Sequence, residues 1–517
     1  MIAQRVDASL LYADNRLIRD LIDGTGRVRD LVGWKARTPA RVAAARQAVP
    51  LPRGSICDIL RDYNERLGAA PATLAHIDAL RNERTLCIIT GQQAGFLGGP
   101  AYTLYKIVST VRAAADAARR LDVPVVPMFW LASEDHDFTE INRARLLDDS
   151  GRIETLRFDW DGQGRAIENL PVTPEIRTAA AAASQRLAPA LRTVFAPGQQ
   201  EDYARWHARI WSRLFERSGL VLVEPRVLRP LAGEAMSAAM RLHPRLSSDL
   251  CERAQRFREA GYEPVLDPAR AARPFRLTPD GVRIRVEAPA AHADEAWQAP
   301  ESFSPDAALR PVLCDALLPT LAHVLGPGEF AYHALLAPLY DTLDIPQPLH
   351  VPRHGYTVLS NDEAGVLDRL GISAEAAAEG RFDPAEALSQ CVDPALQEAF
   401  RTTREDVGRA IDRLRPAVER LDPGLEARWR QAASRTDHEI ARLQDKASRA
   451  DLARQGLSAA RVRQIAESVR PGGALQERSL STIHLIARFG VEWIDQLPWT
   501  DSERPFDHYV VTVEGGA

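Results

Sequence analysis

Residues 85–138 read TLCIITGQQAGFLGGPAYTLYKIVSTVRAAADAARRLDVPVVPMFWLASEDHDF, and the order of patterns within them decides the fold class. TLCIIT (85–90) is a short apolar run of the kind that forms a buried strand. GQQAGFLGGP (91–100) is a glycine-rich loop. AYTLYKIVSTVRAAADAARRL (101–121) has helical periodicity behind Pro100, which suits a first turn. VPVVPMFWLA (123–132) is a second apolar strand, in which Pro127 predicts a bulge or an edge position, because proline has no N–H for the ladder. Strand, loop, helix, strand is a βαβ unit, whose crossover builds a parallel sheet. The two unusual loops, TGQQAG and SEDHDF, both leave carboxyl ends of strands, where ligands bind in open parallel sheets.

Glu134, Asp135, His136 and Asp137 follow the second strand almost without a gap. Carboxylates beside an imidazole can move a proton or hold a hard cation, so these four are the candidate catalytic residues. The alternative is a helix start, with Ser133 as cap, His136 in the first turn and acids matched to the dipole. Zinc is disfavoured, because a metal usually draws ligands from separated positions, and no metal site is expected. The glycine loop lacks the GxGxxG and GxxxxGK[ST] spacings. Thr90, Gly91, Gln92 and Gln93 instead offer neutral hydrogen bonds and close backbone approach, suited to a sugar, amide or carboxylate. A tight turn with surface glutamines is the alternative.

The 101–121 helix would aim its positive end at this loop and favour an anion there. Tyr102 and Lys106 lie in its first two turns. Only three of the 65 basic residues are lysines, Lys35, Lys106 and Lys446, which singles out Lys106. It would meet a carboxylate or phosphate, or else snorkel to solvent. GPGEFAYH (326–333) is a further glycine-rich turn opening a helix, where Glu329 orients an amine or caps. Ser133, Arg310, Glu329 and Tyr332 complete the candidate substrate-binding set.

At 517 residues the chain should divide into two to four lobes. Hydrophobic content of 45% and charged content of 26% are those of a soluble globular protein. A net charge of −5 gives no bias toward nucleic acid, and no apolar run is long enough for a membrane span. The charged N-terminus argues against export, and five scattered cysteines without a CxxC pair point to a reduced, cytoplasmic protein with no thiol nucleophile.

Residues 1–84 read as helices packing on the core, and GLVLVEP (219–225) as a third core strand. Small inserted lobes are expected within about 150–300, and 85–371 forms the core with them. From 372 to 465 the texture changes. Val407, Ile411, Leu414, Val418 and Leu421 form an a/d seam, DPG (422–424) reverses the chain, and Leu425, Trp429, Ala432, Thr436, Ile440, Leu443 and Ala447 resume it with one stutter. This predicts an antiparallel helical hairpin, kinked or opened at Pro416. Residues 466–517 return to the core.

TGQQAGFLGGPAYTLYK, PVVPMFWLASEDHDFTEIN, ALRPVLCDALLPTLAHVLGPGEFAYH and GALQERSLSTIHLIARFG together resemble, in order, segments of the bacillithiol biosynthesis cysteine-adding enzymes. The resemblance spans about residue 85 to 515. It implies an α/β fold: a Rossmann-like core resembling class I nucleotidyltransferases, connecting insertions, and a coiled-coil arm that supports a homodimer. It also implies the activity of a ligase joining the carboxyl of cysteine to the glucosamine amine of glucosaminyl malate. The means of carboxylate activation stays open, with an adenine nucleotide as the candidate cofactor. Two positions depart from the pattern: His333 stands where an aromatic is expected and Leu325 where glycine is. The rival readings are an adenylyltransferase-like enzyme acting on another carboxylic acid, and a non-enzymatic coiled-coil scaffold.

Overall fold

The structure, a computed structural model, describes residues 1–25, 27–33, 36–162, 164–500 and 504–514; Lys35 lies outside them. Among the described residues thirteen strands fall in four sheets. They are β1 (Ile2–Val6), β2 (Leu86–Gln92), β3 (Val125–Leu131), β4 (Arg143–Leu147), β5 (Ile153–Arg157), β6 (Val221–Val223), β7 (Phe275–Leu277), β8 (Arg283–Arg285), β9 (Phe303–Ser304), β10 (Thr320–Leu325), β11 (Leu349–Pro352), β12 (Gly355–Ser360) and β13 (His508–Val513). The central sheet has the order β11-β10-β2-β3-β6 and every pairing in it is parallel. Its strands are apolar runs because both faces are covered. Helix Ala101–Leu121 lies on one face, burying Leu104, Ile107 and Val108. Helix Arg53–Arg66 covers the other, where Ile56, Cys57 and Leu60 pack with Cys87, Ile89 and Met128.

The βαβ reading of 85–138 holds, but Pro127 marks neither a bulge nor an edge. β3 runs in unbroken register with β2, Leu86 opposite Val125 through Gln92 opposite Leu131, and β6 flanks its other side. Pro124 accepts from the Leu86 N–H and Ala132 donates to the Gln92 carbonyl. Even-numbered residues therefore bond to β2, and the Pro127 nitrogen faces the β6 side. There the ladder begins only at Met128 opposite Val221, so the missing donor costs no hydrogen bond.

Residues 1–84 are not helical throughout. β1 pairs antiparallel with β13, which also pairs parallel with β12, so the two ends of the chain close one three-stranded sheet. Two small sheets, β4-β5 and β8-β7-β9, accompany the central one, with Ala144, Leu146, Phe275 and Phe303 buried.

The arm is a hairpin of Pro394–Asp412, Arg415–Leu421 and Glu426–Arg454. The first limb breaks at 413–414, ahead of Pro416, which has no N–H to offer the Asp412 carbonyl. Trp429 Nε1 donates across the hairpin to Ile411 O at 3.0 Å, and Arg404 grips Asp437 through two 2.8 Å bonds. The seam of the second limb differs from the expectation. Ala432 and Leu443 are exposed, while Ala433 and Gln444 are half-buried in their place. Trp429, Ala433, Thr436, Ile440, Gln444 and Ala447 now run 4,3,4,4,3, which moves the stutter.

Candidate active site

The central sheet fixes where a ligand can sit. β2 leads to β3 on one side, and β10 leads to β11 on the other. Adjacent strands whose onward connections diverge leave a crevice at their carboxyl ends. A cavity of ≈ 380 Å³ occupies that crevice, lined by Thr90–Gln93 at the end of β2, Ala132 and Asp135 after β3, and Val324–Glu329 at and beyond the end of β10.

Lys106, Arg310 and Arg353 on its lining are each paired with a carboxylate. Lys106 is 1% exposed and does not snorkel. Its ammonium contacts Glu329 Oε1 at 2.6 Å, Gln92 Oε1 at 3.1 Å and the Gly91 carbonyl. Burial lowers its pKa, against the pull of Glu329. Glu329 also caps its own helix, Oε2 accepting from Gly326 N–H at 2.9 Å, as the capping alternative expected. Arg310 Nε contacts Glu134 Oε1 at 2.7 Å, and its Nη2 lies 3.6 Å from Asp135 Oδ2. Arg353 is paired with Glu477, Nη2 to Oε1 at 2.5 Å. Burial would raise the Asp135 pKa, but Arg310, Arg283 and the N–H groups of His136 and Asp137 hold it below the usual carboxylate range. Tyr102 is pushed up to about 12 by burial. Cys314 also lines the cavity, its thiol driven well above its ordinary value by burial and then by Asp315.

A second cavity of ≈ 250 Å³ adjoins the first, sharing Gln92, Gln93, Tyr102, Glu140 and Arg478 with it. β4 alternates, with Ala144 and Leu146 buried in the core and Arg143, Arg145 and Leu147 half-exposed. Arg143 and Arg145 therefore share one strand face and line this cavity, opposite Arg478 from helix Gln476–Ser479. The wall is held together by Ser481, whose Oγ accepts from Arg145 N–H at 2.9 Å. None of these three arginines has an ion-pair partner among the described residues. Gln93 Nε2 donates to Glu140 Oε2 at 2.7 Å across the junction, and burial, then Asp137 and Asp135, raise the Glu140 pKa.

The chain matches two family models end to end. Residues 5–354 match "Bacillithiol biosynthesis BshC, N-terminal Rossmann-like domain", and 356–513 match the "C-terminal coiled-coil domain" of the same family. The chain belongs to the BshC family. A protein of Salinibacter ruber is 30% identical over 501 residues, covering 90% of each chain, and one of Geobacillus kaustophilus is 31% identical over 491, covering 86% of this chain and 88% of its own. Both carry the name "Putative cysteine ligase BshC". The family's Rossmann-like core and coiled-coil arm are the parallel sheet and hairpin described above.

Of the candidate residues, Thr90, Gly91, Gln92, Gln93, Tyr102, Lys106, Asp135, Arg310, Glu329 and Tyr332 all line the main cavity. The rest of the acidic stretch does not. Ser133 is fully buried and donates to Glu224 Oε1 at 3.0 Å, away from the cavity lining, and it caps no helix. Glu134 is 1% exposed and serves as the counterion of Arg310. Asp137 is the actual cap, accepting from Thr139 N–H at 3.1 Å at the start of helix Phe138–Ile141. His136 precedes that helix. Its Nδ1 lies 2.9 Å from Arg283 Nη1 and its ring packs on Phe275, facing a neighbouring cavity. Burial and Arg283 lower its pKa.

At the start of the 101–121 helix the Ala101 N–H is already taken, by the Leu480 carbonyl at 2.9 Å. Sequence reasoning missed Glu140, His323, Arg353, Arg478, Arg143 and Arg145. Only His323 carried a local signal: a histidine inside the apolar strand TLAHVL must find a buried partner. Among the described residues no three His, Cys, Asp or Glu side chains converge as a metal ion would need.

Proposed function

We propose that this protein joins the carboxyl of cysteine to the glucosamine amine of glucosaminyl malate, the last step of bacillithiol biosynthesis. The observation that carries this reading is the division of charge across two adjoining cavities. Arg143, Arg145 and Arg478 converge in one of them, where among the described residues no carboxylate lies within ion-pair distance of them and Glu140 is the one acidic side chain on the lining, and a dicarboxylate such as the malyl group would balance the excess positive charge. Gln92 and Gln93 stand at the junction with neutral donors and acceptors for a sugar. Glu140, at the same junction, and Asp135 beyond it offer carboxylates to an ammonium. A substrate that is dianionic at one end, neutral in the middle and cationic at the amine fits that sequence of groups. Asp135, fixed as an anion by Arg310 and Arg283, orients the amine rather than taking its proton.

The test is direct. The purified full chain is given glucosaminyl malate and cysteine, with and without ATP, and bacillithiol is sought by mass spectrometry. Product is expected in at least one condition. No product in any of them, with a BshC relative active alongside, would refute the reading.

A further inference from the structure

β10 carries a histidine among apolar neighbours. His323 is 5% exposed and lies on the wall of the main cavity. Its Nε2 lies 3.0 and 2.9 Å from the two carboxylate oxygens of Asp315, in helix Leu309–Leu317. Asp315 is fully buried and accepts a further hydrogen bond from Tyr340 OH at 2.6 Å. An ionised carboxylate only accepts, so Nε2 carries the hydrogen and Nδ1 keeps its lone pair. Among the described residues Nδ1 has no hydrogen-bond partner. A ring held in one tautomer by a buried carboxylate, with its other nitrogen unused on a cavity wall, is the arrangement of an oriented base.

We propose that His323, oriented by Asp315, is the proton acceptor for the substrate amine. This rests on the ligase reading above. The step is a proton transfer: an N–H bond of the ammonium breaks, its electron pair stays on the amine nitrogen, and the proton bonds to His323 Nδ1. The neutral amine is then the nucleophile. The other basic groups on the cavity are committed elsewhere. Asp135 is held by Arg310 and Arg283, Glu329 by Lys106 and Gly326 N–H, and Glu140 accepts from Gln93. His333, with its ring centroid 5.3 Å from that of His323, is pushed far below the imidazole range by burial and then by His323.

The charged and titratable groups around His323 define how it should respond. Asp315 bonds to it from helix Leu309–Leu317, with Cys314 and Tyr340 of helix Ala337–Thr342 close to that carboxylate, and His333 from helix Pro327–His333 and His350 from β11 act on the ring. Arg46 donates to the backbone carbonyls of Asp315 and Leu318 behind them, Cys87 approaches from β2, and Lys106 lies beyond His333. Of these, among the described residues, only Asp315 is hydrogen-bonded to the His323 imidazole, and Tyr340 acts on it through its bond to Asp315.

The experiment measures kcat and kcat/KM against pH for the wild type, H323Q, D315N and Y340F, with glucosaminyl malate binding followed separately by calorimetry. H323Q should lose about 10²-fold or more in kcat while still binding glucosaminyl malate. D315N removes the anion that stabilises the imidazolium, so the acid limb of kcat/KM should move to lower pH and the maximal rate should fall. Y340F removes a donor that disperses the Asp315 charge, so the limb should move to higher pH. A merely structural role would not move the limb in opposite directions. Should H323Q or D315N fail to fold by circular dichroism, Y340F decides alone. An unshifted limb in the folded variants, or wild-type kcat in H323Q, overturns the proposal while leaving the ligase reading intact. A wild type without turnover overturns both.

Discussion

Lys106 and Glu329 form one ion pair, yet removing either partner should have different consequences. Lys106 is buried to 1% exposure, whereas the Glu329 side chain keeps 27%. In K106M the remaining carboxylate can still be hydrated and still caps Gly326 N–H at 2.9 Å. The apolar replacement also removes the cost of burying an ammonium. The stability change should stay within about 1 kcal/mol, although substrate binding suffers. In E329Q the buried ammonium loses its counterion. Breaking a buried pair typically costs on the order of 3–5 kcal/mol. Because Nζ keeps Gly91 O and Gln92 Oε1 as acceptors, the low end of that range, about 3 kcal/mol, is expected.

The pH dependence gives a second readout. Burial lowers the folded-state pKa of Lys106 and Glu329 opposes it; without Glu329 the folded value falls further. Below that value both states hold the proton and the penalty is fully present. Above it, and up to the ordinary ammonium range near ~10.4, the unfolded chain binds more protons, so stability rises with pH. Urea unfolding of the full chain, followed by tryptophan fluorescence at pH 7 and at higher pH, compares the variants. E329Q should unfold at lower urea than K106M at pH 7 and recover as pH rises. Equal midpoints, or an E329Q that weakens with rising pH, would refute the reasoning.

Three other outcomes follow from the geometry. Replacing Arg145 or Arg478 by Gln should raise KM for glucosaminyl malate about 10- to 100-fold, as expected for one charge-assisted hydrogen bond, with kcat less affected; an unchanged KM in steady-state assays would remove the malyl group from the arginine cavity. H136A should change both turnover and stability little, because the ring is half-exposed and outside the main cavity, whereas D135N should lower turnover and also destabilise the buried Arg283; thermal melts beside rate measurements separate the two. The arm leaves Leu414, Leu421 and Leu443 at 59%, 83% and 59% exposure, and L421D should weaken a homodimer built on it, a change that sedimentation velocity would detect as a shift toward monomer.

The fold was legible because its deciding signals are local. Buried parallel strands are written as apolar runs, and 86–92 and 125–131 could hardly be read otherwise. Pro127 misled because its tolerance depends on where β6 starts, 94 residues later in sequence, and no local pattern encodes that. The heptad seam slipped at Ala432 and Leu443 because a stutter can be placed at more than one point in an alanine-rich limb, and packing against the first limb decides which. β1 was missed because IAQRV alternates only weakly, and its pairing partner lies at the other end of the chain.

The site divides along the same line. TGQQAG and SEDHDF were legible because their composition is unusual at a strand end, but composition could not rank the residues within SEDHDF. The turn did that: Ser133 and Glu134 turn inward to Glu224 and Arg310, His136 and Asp137 face outward, and only Asp135 reaches the main cavity. Asp135 and Arg310 line both this cavity and the neighbouring one beneath His136. An anion fixed by two arginines at such a partition is a poor base, since both cations oppose its protonation, although its oxygens can still accept from an ammonium. Proton uptake then requires a group with no compensating cation beside it. Among the residues lining the cavity that requirement leads to β10 and to His323, whose partner Asp315 adds negative charge where the acidic stretch has had its own neutralised.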